Sequence, residues 1–346
     1  MQPGIYFQKA REAHAFAVER AGSIDYHLSI AGRRVRLVFA SELLSKQLTP
    51  ALMHRVSEPS TDNENLTLLA WDTAATGVRP PSPPWGPDDY LARGQVRGFN
   101  EDGVRTAFHV GVNVLSLFEH ATATAVFWTP DASTLPDWQI GSPFLAILHW
   151  WTEAADLDLV HAGAVGTSDA GALLVGPGGS GKSTTSLACA GSSGLRFVSD
   201  DYCLLESTGG DRAHSLFNSA KLDDHSLNLL PRFRSGISNR GVKEGRKDMV
   251  FLAEHAPVEL ADSVPIKVIL LPRPSNGGVT QFRPASSGEA LRALAPSTIF
   301  QLSGAGRRSF KRLGALVRRV PSFHLDLSRD MRDTAAVVRS ILEGLA

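Results

Sequence analysis

Apolar and polar positions alternate from Tyr26 to Ala40 (YHLSIAGRRVRLVFA) about a Gly-Arg step, the pattern of a β-hairpin with one buried face. Asn65 to Trp71, Gly103 to Val112 and Ala121 to Trp128 predict further strands. The apolar stretch Val114 to Glu119 reads as a connection between the last two. Gly77 to Pro87 (GVRPPSPPWGP) is too rich in proline for a helix or an inner strand, which predicts a surface excursion inside this first half. Residues 1–141 are therefore expected to form a mostly β, largely antiparallel α+β domain.

The period changes after that. Ser142-Pro143 opens FLAILHWWTEA, with Phe144, Ile147, Leu148 and Trp151 at helical spacing, and this helix is expected to join the two halves. Beyond it, LDLVHAGAVG, GALLVG and LRFVSDDYCLLES are short apolar runs that bracket a predicted helix from Lys182 to Ala190. Strands apolar on both faces indicate a sheet covered on both sides, so residues 142–346 read as an α/β domain. Its remaining predicted elements are strands at Ala261 to Leu271 and Phe323 to Leu327, and helices at Ser286 to Leu294 and Asp333 to Leu345.

Composition narrows the function classes. The 346 residues hold 35 Lys plus Arg against 35 Asp plus Glu, so no global field draws the chain to nucleic acid or to an anionic membrane. Two cysteines are too few for a disulfide framework and suit a reducing compartment. No run approaches the roughly 20 apolar residues that span a bilayer, and the charged N-terminus does not read as a signal peptide. The expectation is a cytoplasmic protein with no nucleic-acid and no membrane partner.

The sharpest chemical signal is GPGGSGKS at Gly176 to Ser183, a full G-x-x-x-x-G-K-[ST] pattern between an apolar strand and a good helix former. The spacing has a mechanism. Gly176, Gly178, Gly179 and Gly181 permit positive φ and close approach, so that successive backbone N–H groups of the loop converge on phosphate oxygens at a helix N-terminus, and the whole turn Gly176, Pro177, Gly178, Gly179, Ser180, Gly181, Lys182, Ser183 and Thr184 is expected to bind the nucleotide. Lys182 would reach the β- and γ-phosphates, and the Ser183 hydroxyl would ligate Mg²⁺. The strand LRFVSDD ends in two carboxylates, Asp200 and Asp201, where such a site needs an acid. Neighbouring side chains on a strand point to opposite faces, so both serve the site only if the strand end bends. His161 ends the strand that precedes the loop strand, which puts it within reach of the phosphates.

With His161 in HAGAVG, GPGGSGKST at Gly176 to Thr184, and FVSDD at Phe197 to Asp201, the second half resembles the HPr kinase/phosphorylase family and related bacterial serine-kinase-like proteins, including kinases of lasso-peptide precursors. Phosphoenolpyruvate carboxykinases share that P-loop core more distantly. The resemblance covers roughly residues 155 to 330. It implies ATP-dependent phosphorylation of a hydroxyl, often a serine, with one aspartate as base and the other near Mg²⁺. By position the base falls to Asp200 and the metal to Asp201, with the reverse order open. His161 matches the family's histidine near the phosphates.

The glutamate-valine-arginine-glycine signature of the bifunctional HPr enzymes does not follow the Asp pair, so HPr itself is not implied as acceptor. The segment LFNSAKLDDHSL instead resembles the Ser-x-Lys-Leu stretch of the serine-kinase-like relatives, which marks Lys221 for phosphate or acceptor contact. Arg232 to Lys247 reads as a mobile basic loop in which Arg240, Lys243, Arg246 and Lys247 would meet the triphosphate or an acidic acceptor. Arg307, Arg308, Lys311 and Arg312 read as a solvated helix face.

The leading expectation is a Mg-ATP-dependent kinase acting on a protein serine, a peptide or a small-molecule hydroxyl, with the first domain positioning the acceptor. HPr kinases assemble as oligomers, so a homo-oligomer is a further expectation of the resemblance. The alternatives are a P-loop ATPase or nucleotide-dependent switch without a phosphorylated acceptor, and a scaffold that nucleotide merely stabilises. The absence of an Asn-Lys-x-Asp motif argues against a GTPase.

Overall fold

A computed structural model of the chain describes every residue except 102, 193, 207–210, 240–246, 255–257, 276, 303–306 and 346. It is a mixed α/β structure that divides into two compact units, Met1–Ala155 with Leu302–Gly304, and Asp156–Gln301 with Ala305–Ala346. Among the described residues, no helix is long and apolar enough to cross a membrane.

The first unit contains helices α1 (Pro3–Ala21), α2 (Glu42–Leu48), α3 (Thr73–Thr76), α4 (Asp137–Gly141) and α5 (Leu145–Ala154). Its strands are β1 (Ile24–Ile30), β2 (Arg33–Phe39), β3 (Leu66–Asp72), β4 (Val104–His109), β5 (Val114–Glu119) and β6 (Thr124–Thr129), in the order β1-β2-β3-β6-β5-β4. The hairpin β1–β2 forms as its alternation predicts, turning at Ala31 and Gly32, both at positive φ. Three of the five pairings in this sheet are antiparallel, as expected, and β3 is the exception, lying parallel to both β2 and β6. Val114–Glu119 is no connection but a full strand between β4 and β6; nearly all of it is buried, so it carries no alternation to read.

Helix α1 lays Tyr6, Phe7, Ala10, His14 and Ala17 on a core with Trp71, Leu115, Leu117 and Val126. The proline-rich excursion folds onto this core: Trp85 meets the rings of Tyr6 at 4.9 Å and Phe99 at 5.0 Å, and the Tyr6 hydroxyl donates to the Pro81 carbonyl. Helix α5 belongs to this unit, so the division falls after Ala155 and not at Gly141. Phe144 packs against Phe39 and Phe127, and the Trp151 indole donates to the Asn65 carbonyl, which ties the helix to the first sheet.

In the second unit the strands are β7 (Leu157–Val160), β8 (Gly163–Gly166), β9 (Gly171–Leu174), β10 (Arg196–Ser199), β11 (Cys203–Glu206), β12 (Arg212–Ser215), β13 (Ser219–Leu222), β14 (Asp248–Phe251), β15 (Ser263–Pro274), β16 (Gln281–Ala285) and β17 (Ser322–Leu327). Its helices are α6 (Lys182–Ala190), α7 (Asp224–Leu229), α8 (Ser287–Gln301), α9 (Arg307–Arg319) and α10 (Met331–Glu343). The long strand β15 organises the unit. Its first residues pair with β12, its middle runs parallel to β9, and its end runs parallel to β17.

Side chains alternate across this sheet as the pleat requires. Leu173, Val175, Ile269 and Leu271 face Leu294 of α8 and Leu313, Leu316 and Val317 of α9; Ala172, Leu174, Val268 and Leu270 face α6 and α10. Both faces are covered, which explains the unbroken apolar runs. On its outer side α6 packs against β13, β14 and α7 through Leu187, Ala188, Ala220, Leu227 and Val250. The basic cluster on α9 is more than a solvated face: Arg308 and Arg312 pair with Asp156, and Arg312 also reaches the buried Asp158. Cys189 and Cys203 are buried free thiols that burial pushes up to about 12.

Two buried imidazoles make the first unit sensitive to acid. Burial lowers both His14 and His149 to about 4, and both ring nitrogens of His149 lack a hydrogen-bond partner among the described residues. Their folded values lie below the unfolded 6.5. The unfolded chain therefore takes up protons first as pH falls below 6.5, and stability declines down to about pH 4, by up to about 3 kcal/mol per histidine. Guanidinium melts of the whole chain between pH 7.5 and 5 should show this decline, and His149→Phe should flatten it; an equal slope in the variant would assign the effect elsewhere.

Candidate functional site

The loop between β9 and α6 starts from a fixed point, since the Val175 N–H donates to the Leu270 carbonyl of β15 at 2.9 Å. From there the chain needs glycine at three places, of which Gly179, with φ +79°, has open space around it and is required by its backbone alone. Gly176 has φ +156°, and a Cβ there would stand 2.6 Å from the Ser180 hydroxyl. Gly181 has φ +99°, and a Cβ there would stand 2.4 Å from Leu327 Cδ1 on β17. Gly181 is also the N-cap of α6 and offers no side chain to its first turn. Helix dipole and unpaired N–H groups thus make a positive pole at this end.

Lys182, 7% exposed, folds its ammonium back onto the loop and donates to the carbonyls of Gly176 at 2.7 Å and Pro177 at 3.2 Å. Burial lowers its pKa, and the carboxylates of Asp201 and Asp200 counter that pull. Thr184 shares a hydrogen bond with Ser226 of α7 at 3.0 Å, which fixes α7 beside the first turn of α6.

The two aspartates lie where β10 leaves the sheet, after a register shift between Phe197 and Ser199. This bend lets consecutive carboxylates serve one region. Asp200 points inward and is 2% exposed; one oxygen accepts the Lys221 N–H at 3.1 Å, and Oδ1 has no hydrogen-bond partner among the described residues. Burial and the neighbouring carboxylate raise its pKa, against the pull of the Ser183 hydroxyl and Lys221. Asp201 points to the cleft. Its Oδ1 lies 2.5 Å from His161 Nε2 and its Oδ2 takes the Lys221 ammonium at 3.1 Å. Burial acts to raise the Asp201 pKa too, but His161 and Lys221 outweigh it and hold the carboxyl far below its usual range.

A cleft of about 310 Å³ opens here. Of the residues expected from sequence, His161, Gly178, Gly179, Gly181, Lys182, Ser183, Thr184, Asp201 and Lys221 line it; Gly176, Ser180 and Asp200 do not and are buried, and Pro177 is exposed outside the lining. Lys247 reaches the cleft from the basic segment, whereas Arg240, Lys243 and Arg246 lie outside the described residues. Sequence reasoning missed Asp223, His225 and Ser226 at the start of α7, and Ser328 and Arg329 between β17 and α10. Asp223 had a readable signal, since it caps α7 by accepting the Ser226 N–H at 2.8 Å. Arg329 carried none.

Neither the models of known protein families nor the curated proteins compared with this chain match it.

The two kinds of glycine in the loop should respond differently to substitution. Gly181→Ala is strained in φ and in space, so it should destabilise by about 1–3 kcal/mol. Gly178→Ala meets nothing within 4 Å and has no positive φ, so it should stay within about 0.5 kcal/mol of the parent. Denaturant midpoints of the two variants check this; equal losses would mean that the loop conformation is wrong.

Proposed function

We propose that this protein is an ATP-dependent kinase of the HPr kinase-like serine kinase type, transferring the γ-phosphoryl group to a hydroxyl acceptor, a serine of a protein or peptide. The observation that carries the reading is the convergence on one cleft of an uncapped helix N-terminus, the Lys182 ammonium, the Ser183 hydroxyl and the ionised Asp201. Each is suited to a different part of a phosphoryl-transfer reaction.

The loop N–H groups and the α6 pole hold the phosphate chain. Lys182, whose ammonium meets two loop carbonyls, exchanges these for β- and γ-phosphate oxygens and stabilises charge as it spreads over the transferring group. Asp201 faces the acceptor side. It orients the hydroxyl and accepts its proton late, as a loose transition state requires of a weak base. His161 fixes the Asp201 carboxylate from one side and Lys221 from the other.

Among the described residues no three His, Cys, Asp or Glu side chains cluster as a metal site. The donors present still fit Mg²⁺, which takes few protein oxygens and completes its shell with water and phosphate. Ser183 and the orphaned Oδ1 of Asp200 would hold it. When bound, the cation neutralises phosphate charge. This assigns the metal side to Asp200 and the acceptor side to Asp201, the reverse of the order inferred from position alone. The first unit, by analogy with kinase-like relatives, would select the acceptor.

Incubation with γ-labelled Mg-ATP and proteins encoded nearby, read by mass spectrometry, should give a phosphorylated acceptor. Lys182→Ala should lose about 10²-fold or more of the transfer. Asp201→Asn should lose transfer while keeping the rise in melting temperature on Mg-ATP addition. ADP released with no phosphorylated product would indicate a hydrolytic switch, and absence of both nucleotide stabilisation and turnover would refute nucleotide chemistry altogether.

A further inference from the structure

The imidazole of His161 is oriented in an unusual way. A histidine that serves a site is normally fixed by a hydrogen bond at its second ring nitrogen. Here Nδ1 is buried and has no such partner among the described residues. Ring orientation must come from Asp201 at Nε2, from packing, and from the backbone. The packing comes from Tyr202, whose ring lies 5.2 Å away at 43°. The Tyr202 hydroxyl donates to Oε1 of Gln301 at 2.6 Å, and the His161 backbone N–H donates to the Thr298 hydroxyl at 3.1 Å. Thr298 is fully buried.

Both anchors come from the last turn of α8, and topology shows why one turn reaches both. Strands β8 and β10 are antiparallel neighbours, as are β7 and β11. The chain crosses between these two pairs twice, once at His161-Ala162 and once at Asp200-Asp201-Tyr202. The Ser199 hydroxyl donates to the Ala162 carbonyl at 3.1 Å and holds the crossings side by side. Thr298 grips the first crossing and Gln301, through Tyr202, the second.

We infer that Thr298, Tyr202 and Gln301 are positioning residues that set the His161–Asp201 hydrogen bond, and with it the rate of phosphoryl transfer. The inference rests on the kinase reading for its effect on rate but not for its effect on the bond. A short imidazole–carboxylate bond gives a proton NMR signal in water downfield of the amide region, assignable by its loss in His161→Asn. The full-length protein should show this signal. Tyr202→Phe, which keeps the ring, and Thr298→Val, which keeps the shape, should move or abolish it, and Thr298→Ser should retain it.

In Tyr202→Phe and Thr298→Val kcat for Mg-ATP turnover with water as acceptor should fall about tenfold, with KM for ATP within a factor of about two, and Thr298→Ser should keep the parent kcat. A signal absent from the parent, or unmoved in folded Tyr202→Phe, overturns the clamp. So does a moved signal with unchanged kcat in an active parent. A signal that moves in a parent without turnover upholds the clamp and refutes the kinase reading instead.

Discussion

Two carboxylates on consecutive residues, one buried and the other half-buried at the wall of a cleft, are a charge arrangement that a fold must compensate. Asp200 and Asp201 raise each other's cost, and burial adds to it. Lys221 answers most directly. Its N–H serves one carboxylate and its ammonium the other, so a single residue of β13 ties the pair together. The remaining needs are met unequally. Asp201 gains His161 and stays ionised, while Asp200 keeps one oxygen without a hydrogen-bond partner among the described residues. Unequal surroundings therefore produce two different acids from adjacent positions, and on the kinase reading proposed above that difference is what would let one face an acceptor and the other a cation.

The rest of the second unit follows from having to deliver Lys221 and the glycine loop to those acids. Strand β15 holds the loop through Leu270 and holds β17 along its far edge. Leu327 at the end of β17 then closes so near Gly181 that no side chain fits there. Lys221 arrives on the separate β13–β14 pair, which packs on the outer face of α6 through Ala220, Leu222 and Val250. Thr184 and Ser226 lock the same helix to α7. Helix α6 is thus gripped on two sides while its N-terminus stays open, as a site built on rigid elements requires.

Much of this was legible in the chain. The glycine loop, the strand before it and the helix after it carry local constraints, and local constraints leave local patterns. The doubled Asp signalled itself because two adjacent acids at the end of an apolar strand contradict burial. What escaped was non-local or featureless. Val114–Glu119 is buried on both faces and so has no period; α1 spaces its buried residues among small ones and polar ones such as His14; the parallel pairing of β3 leaves no mark on side-chain alternation. The role of α5 as part of the first unit depends on Phe144 finding Phe39 and Phe127 far away in sequence.

The sequence separation of the α8 contacts makes the same point in its strongest form. Thr298 reaches His161 across 137 positions and Gln301 reaches Tyr202 across 99, and neither residue sits in a motif. A threonine and a glutamine near a helix end read as solubilising residues. They become specific only because the sheet crosses over itself twice at one place and leaves two backbone segments to be held. In a glycine loop chemistry dictates the residue, so the residue can be read directly. In a clamp geometry dictates the position, and a hydroxyl or amide of suitable length suffices, so only the folded chain reveals it.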